Sequence, residues 1–111
     1  MNSDDALHRL TECRDDIDEV DVQILKLLNE RTSIVEEIGR IKRGLDLPIY
    51  EPKREEDVFR NVTDHNGGPL PAEAVKRIFE RIIDEMRTVQ RIRMLEEQQS
   101  RKANQGSGES C

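Results

Sequence analysis

From about Asp4 to about Arg43 the chain keeps one helical period. Steps of three and four residues connect Leu10, Arg14, Ile17, Asp21, Ile24, Leu28, Arg31, Val35, Ile38 and Lys42 along a single face. At ~1.5 Å per residue, a helix of roughly 38 residues is a rod of about 57 Å. A folded chain of this size has a radius of gyration near ~13 Å. Such a rod is too long for its own chain to cover, so a second copy is expected to cover the remainder.

Arg31 is the most informative residue on that stripe. Leu27, Leu28, Ile34 and Val35 flank it at helical spacing, and no carboxylate stands at those positions. A guanidinium withdrawn from water without an anion is too costly to keep. The charge must come from another helix or from an anionic ligand. Arg14 has Asp18 four residues on, and Lys42 has Asp46.

With 111 residues the chain is long enough for one domain. Two Phe, one Tyr and no Trp, set among Leu, Ile, Glu, Lys and Arg at helical spacing, argue for an all-α protein. The 24 acidic residues outnumber 18 basic ones, which argues against nucleic acid as the main partner. A small anion is still compatible with a local cluster of cations. Cys13 and Cys111 are too few for a disulfide framework or a metal site, and a cytoplasmic setting is expected. The start Met1-Asn-Ser-Asp-Asp lacks an apolar core, so no signal peptide is expected. No stretch reaches membrane-spanning length. His8 and His65 read as surface residues.

The first helix should end near Gly44, with Pro48 breaking the pattern. Pro52 suits the first position of a second helix, with Glu51 held extended before it. That helix should run to about Asp64 and carry Val58, Phe59 and Val62, with Asn66-Gly67-Gly68 as its stop. A third helix is expected from Pro71 to about Gln99. Its inner side would hold Val75, Ile78, Phe79, Ile82, Ile83, Met86, Val89, Ile92 and Leu95. Residues 1–99 would form one helical domain, and the small polar run 100–111 a disordered tail.

No phosphate-binding loop, dinucleotide glycine fingerprint or Ser-His-Asp arrangement is present. Any chemistry must rest on Arg, Lys, Glu and Gln. Each has an ordinary structural alternative. Arg14 fits a surface ion pair, Arg31 a salt bridge to another helix, and Lys42 a helix C-terminus with its amine in water. The run Lys53-Arg54-Glu55-Glu56-Asp57 fits a solvated face, and Gln90 fits either a core hydrogen bond or a ligand contact. Together they place cations on a buried stripe, a carboxylate early in the second helix and an amide on the third. That set suits a small dianion carrying a hydroxyl.

The run IDEVDVQILKLLNERTSIVEEIGRIK, residues 17–42, resembles the first helix of the all-helical class of chorismate mutases. PIYEPKREEDV, residues 48–58, is similar to that family's second motif, and RIFERIIDEMRTVQ, residues 77–90, to its third. The resemblance covers roughly residues 7–98. It implies an interlocked homodimer that converts chorismate to prephenate without a cofactor or metal. By the same resemblance, Arg31 clamps a substrate carboxylate within its own subunit, and Arg14 reaches into the partner's site. Lys42 contacts a carboxylate and the ether oxygen, to which Gln90 also donates. Arg54 and Glu55 form the second-helix pair, with Glu55 accepting from the substrate hydroxyl. Glu51 stands where some members have an aspartate that contacts or orients the ligand. Met86 stands where some have a Ser or Thr hydroxyl bonding a carboxylate, which implies weaker substrate binding.

Two other functions share this frame. Isochorismate–pyruvate lyase resembles the mutase but has an apolar residue at the position of Glu55. A non-catalytic helical dimer that binds or regulates the first enzyme of the aromatic pathway would have no reason to keep Arg31, Lys42 and Gln90 facing inward.

Overall fold

The computed structural model describes residues 2–109, with side chains described for residues 2–104. Cys111 and the end of the expected tail lie outside the described residues. Three helices follow one another: α1 (Ser3–Gly44), α2 (Pro52–Asp64) and α3 (Ala72–Glu109). No strand occurs among the described residues, so the chain is all-α as expected. No helix is long and apolar enough to cross a membrane among the described residues. The chain falls into two compact units, Met1–Ile34 and Val35–Cys111, and α1 contributes to both.

In the first unit, Asn2 Oδ1 accepts the backbone N–H of Asp5 at 2.8 Å, a cap that satisfies one orphan donor of α1. Asp4 and Asp5 in the first turn complement the helix dipole. His8 is exposed, as expected, and pairs with Glu12 at 2.9 Å, beside Arg9 at 2.8 Å from the same carboxylate. The expected buried seam is open here: Leu10, Ile17 and Ile24 are 43, 58 and 48% exposed. A lone helix has no second layer to lie against, and its apolar stripe stays wet until one is supplied. Leu28 and Arg31 are half-buried.

In the second unit, α2 packs on α3. Val75, Ile83 and Met86 of α3 are buried, and Val58, Phe59, Val62, Phe79, Ile82 and Val89 are half-buried around them. Ile78, Ile92 and Leu95, expected on this inner side, are exposed instead. The reason is the helical period: at 3.6 residues per turn Ile92 and Leu95 lie well round α3 from the line of Val75, Ile83, Met86 and Gln90, while Met94 and Glu97 at the same level are half-buried, and Ile78 stands on the flank of that line.

Pro52 opens α2 after an extended Glu51 at φ −129°, as its fixed ring requires. Beyond α2, Asn66 accepts the Gly68 N–H at 3.0 Å and donates to the Leu70 carbonyl at 2.8 Å. Gly68 adopts φ +76°, a region open to glycine without penalty. Pro71 lies just outside α3, where its carbonyl accepts the Val75 N–H at 3.1 Å. The expected end near Gln99 is corrected, since α3 continues to Glu109 through most of the segment expected to lack structure. Gln98, Gln99, Arg101, Lys102 and Ala103 are good helix formers, and no proline interrupts them.

Candidate active site

The last turns of α1 present Val35, Gly39 and Lys42 on one side. Gly39 is the only buried residue of α1. A Cβ built there would lie 3.6 Å from Gln90 Cγ, 3.7 Å from Gln90 Nε2 and 3.1 Å from Arg43 Nη1. Gln90 of α3 therefore lies within ordinary van der Waals reach of this position, and the one tight neighbour is the flexible end of Arg43. Gln90 is 6% exposed and donates from Nε2 to the Val35 carbonyl at 3.3 Å. The core hydrogen bond is thus present, and it engages one of the two hydrogens an amide nitrogen carries.

Lys42 lies one turn beyond Gly39. Its side chain is 11% exposed, so the amine does not reach out to water. Nζ donates to the Ile49 carbonyl at 3.1 Å and forms an ion pair with Glu51. The sequence offered Asp46 as its partner. Instead α1 ends at Gly44, and Asp46 turns with φ 55°, off the helical spacing that would have joined them. Glu51 therefore sits beside the amine.

Glu55, on the first turn of α2, faces Arg87 of α3. Arg87 Nε is 3.3 Å from Glu55 Oε1, close enough for an ion pair. The two are not aligned for a hydrogen bond, and this buried oxygen has no hydrogen-bond partner among the described residues. Arg87 also pairs with Asp84, and its guanidinium lies 5.1 Å from the centre of the Tyr50 ring. Glu55 and Arg87 line a cleft of about 270 Å³ with Phe59, Glu80, Ile83 and Asp84.

Further along, Arg43 grips Glu97 through two parallel bonds, Nε to Oε2 at 2.8 Å and Nη2 to Oε1 at 2.6 Å. These bonds hold the Glu97 carboxyl below the ordinary carboxylate range against the opposing effect of burial, and the charges of Arg43, Arg101 and Arg40 add to the lowering. Arg93 contacts Glu36 at 3.3 Å nearby.

Of the residues singled out from sequence, Lys42 and Glu51 meet directly, and Gln90 lies against the adjoining turn of α1. Glu55 is half-buried at its cleft, and Arg54 is exposed at the start of α2. Met86 is buried and offers no hydroxyl. Arg14, exposed, and Arg31, half-buried, belong to the first unit. Sequence reasoning missed Arg87, Tyr50 and Gly39. Only Gly39 carried a signal, since a glycine inside a strong helical period costs about 1 kcal/mol against alanine and needs a packing reason.

Residues 13–91 match the family described as chorismate mutase type II. A bifunctional chorismate mutase/prephenate dehydratase of Aquifex aeolicus (strain VF5) is 41% identical over 81 residues, covering 69% of this chain and 22% of that protein. The chain thus spans only about a fifth of the length of such two-activity relatives. A chorismate mutase of Methanocaldococcus jannaschii is 32% identical over 99 residues, covering 86% of this chain and 96% of that protein. Among solved structures, a chorismate mutase from Helicobacter pylori in complex with prephenate superposes with a TM-score of 0.75 at 27% identity, covering 80% of this chain and 97% of that one.

Proposed function

The chain belongs to the type II chorismate mutase family, and from that premise we propose that it rearranges chorismate to prephenate as an interlocked homodimer. The observation that carries this reading is the withdrawal from water of Gln90, against Gly39, and of Lys42, one turn beyond it on α1. The reaction is an intramolecular Claisen rearrangement. One C–C bond forms as one C–O bond breaks, and no atom enters or leaves. The protein has two tasks in such a step.

The first is to hold a flexible dianion folded so that the carbons about to bond are close. Arg31 and Arg14 are the proposed carboxylate clamps, Arg14 being contributed by the second copy, with Arg54 as a further cation. The second is to stabilise negative charge that grows on the ether oxygen as the C–O bond lengthens. Lys42 and Gln90 are the proposed donors. Tethered before substrate arrives, they need little reorganisation, and removing one such donor typically costs ~10²–10³ in rate. Glu55 is the proposed acceptor for the substrate hydroxyl, and Glu51 orients the Lys42 amine.

In the Aquifex relative the matching segment shares a chain with a prephenate dehydratase, which supports a partner enzyme acting on the same product. The test is to follow loss of chorismate absorbance with purified protein and to identify the product. Prephenate is expected. Pyruvate released from isochorismate faster than prephenate forms from chorismate would replace this reading with the lyase.

A further inference from the structure

We infer that Arg87 is a positioning residue that aims Glu55, and through it sets the preference for a substrate bearing a free hydroxyl. This rests on the mutase reading above. Three contacts hold the guanidinium: Glu55 at 3.3 Å, Asp84, and the face of Tyr50 at 5.1 Å. They come from α2, α3 and the loop between α1 and α2, so Arg87 joins all three at one point. Its side chain is 27% exposed, well below that of an ordinary surface arginine such as Arg81 at 77%.

The carboxylate of Glu55 is consequently asymmetric. Oε1 is buried against Arg87 and accepts no hydrogen bond from the described residues, while 21% of the side chain still meets solvent. A carboxylate whose inner oxygen is fixed by a cation presents its outer oxygen in one direction only. That is what a single hydroxyl donor requires, because hydrogen-bond strength falls steeply with misalignment. Without Arg87 the carboxylate can rotate, and the outer oxygen loses its aim.

The experiment compares chorismate with its 4-O-methyl ether, which cannot donate, in wild-type protein, Arg87→Ala and Arg87→Lys. For Arg87→Ala, kcat/KM on chorismate should fall about tenfold and that on the ether by less than about twofold, the difference expected for one misdirected hydrogen bond to a charged group. Arg87→Lys, which keeps a cation beside Glu55, should recover part of the loss. In a Glu55→Gln background, Arg87→Ala should have no further effect on chorismate. Equal losses on both substrates, with or without a lower melting temperature, overturn the assignment and leave the mutase reading standing. Wild-type protein inactive on chorismate overturns both.

Discussion

Gln90 carries two obligations at once, a bond to the Val35 carbonyl at 3.3 Å and the proposed bond to the ether oxygen. Exchanging its amide for a carboxyl separates them. In Gln90→Glu an ionised side chain has no hydrogen to give, while a protonated one can donate. The variant is expected to turn over chorismate at acid pH and to lose activity as pH rises through its own pKa. The wild-type amide donates at any pH, so its profile should be flatter over the same range. A pH–rate comparison checks this, and matching profiles would remove Gln90 from the site. Much at this scale was legible in the sequence. Lys42 and Gln90 stood out because a polar group on an apolar face needs a reason. Their anchors did not, because Ile49 offers only its backbone and Glu51 lies nine residues from Lys42, across a turn that no spacing rule describes.

At the scale of elements, Arg43 and Glu97 fasten the end of α1 to α3 well beyond the reach of α2. Glu97 titrates below its ordinary value of 4.5, chiefly because Arg43 bonds its charged form. A folded value lower than the unfolded one means that this pair adds stability above pH 4.5, and that the gain is lost as pH falls through the lowered value. Glu97→Gln should therefore melt below wild type at neutral pH, with the gap closing at an acid pH below 4.5, as the wild-type carboxyl is itself neutralised. Melting curves by circular dichroism at both pH values check it, and a constant gap would show that the charge is not what matters. The helices themselves could be read with little loss: α2 begins at Pro52, where ring geometry dictates it, and α1 ends at Gly44, a poor helix former. The far end of α3 could not. Its polar composition resembles that of a tail, and the bond from Arg43 to Glu97 joins residues 54 apart.

For the molecule as a whole, the wet stripe of α1 is the feature to test first. Sedimentation equilibrium at micromolar protein should give twice the 12.9 kDa chain mass. A folded monomer at that concentration would defeat the interlocked arrangement. Arg14→Ala and Arg31→Ala should each be inactive yet folded, and mixing them should restore activity after subunit exchange, because one of the two hybrid sites then has both arginines. No recovery on mixing would confine each site to a single chain. Sequence pointed to a second copy because the first helix is longer than its own chain can cover. The apolar residues Leu7, Ile17 and Leu27, 62, 58 and 65% exposed, have a further consequence. A catalyst whose site is completed by its twin has no fixed specific activity. In the proposed dimer each molecule works only while paired, so turnover per chain should rise with the abundance of the chain itself and fade on dilution together with the helices that pairing covers.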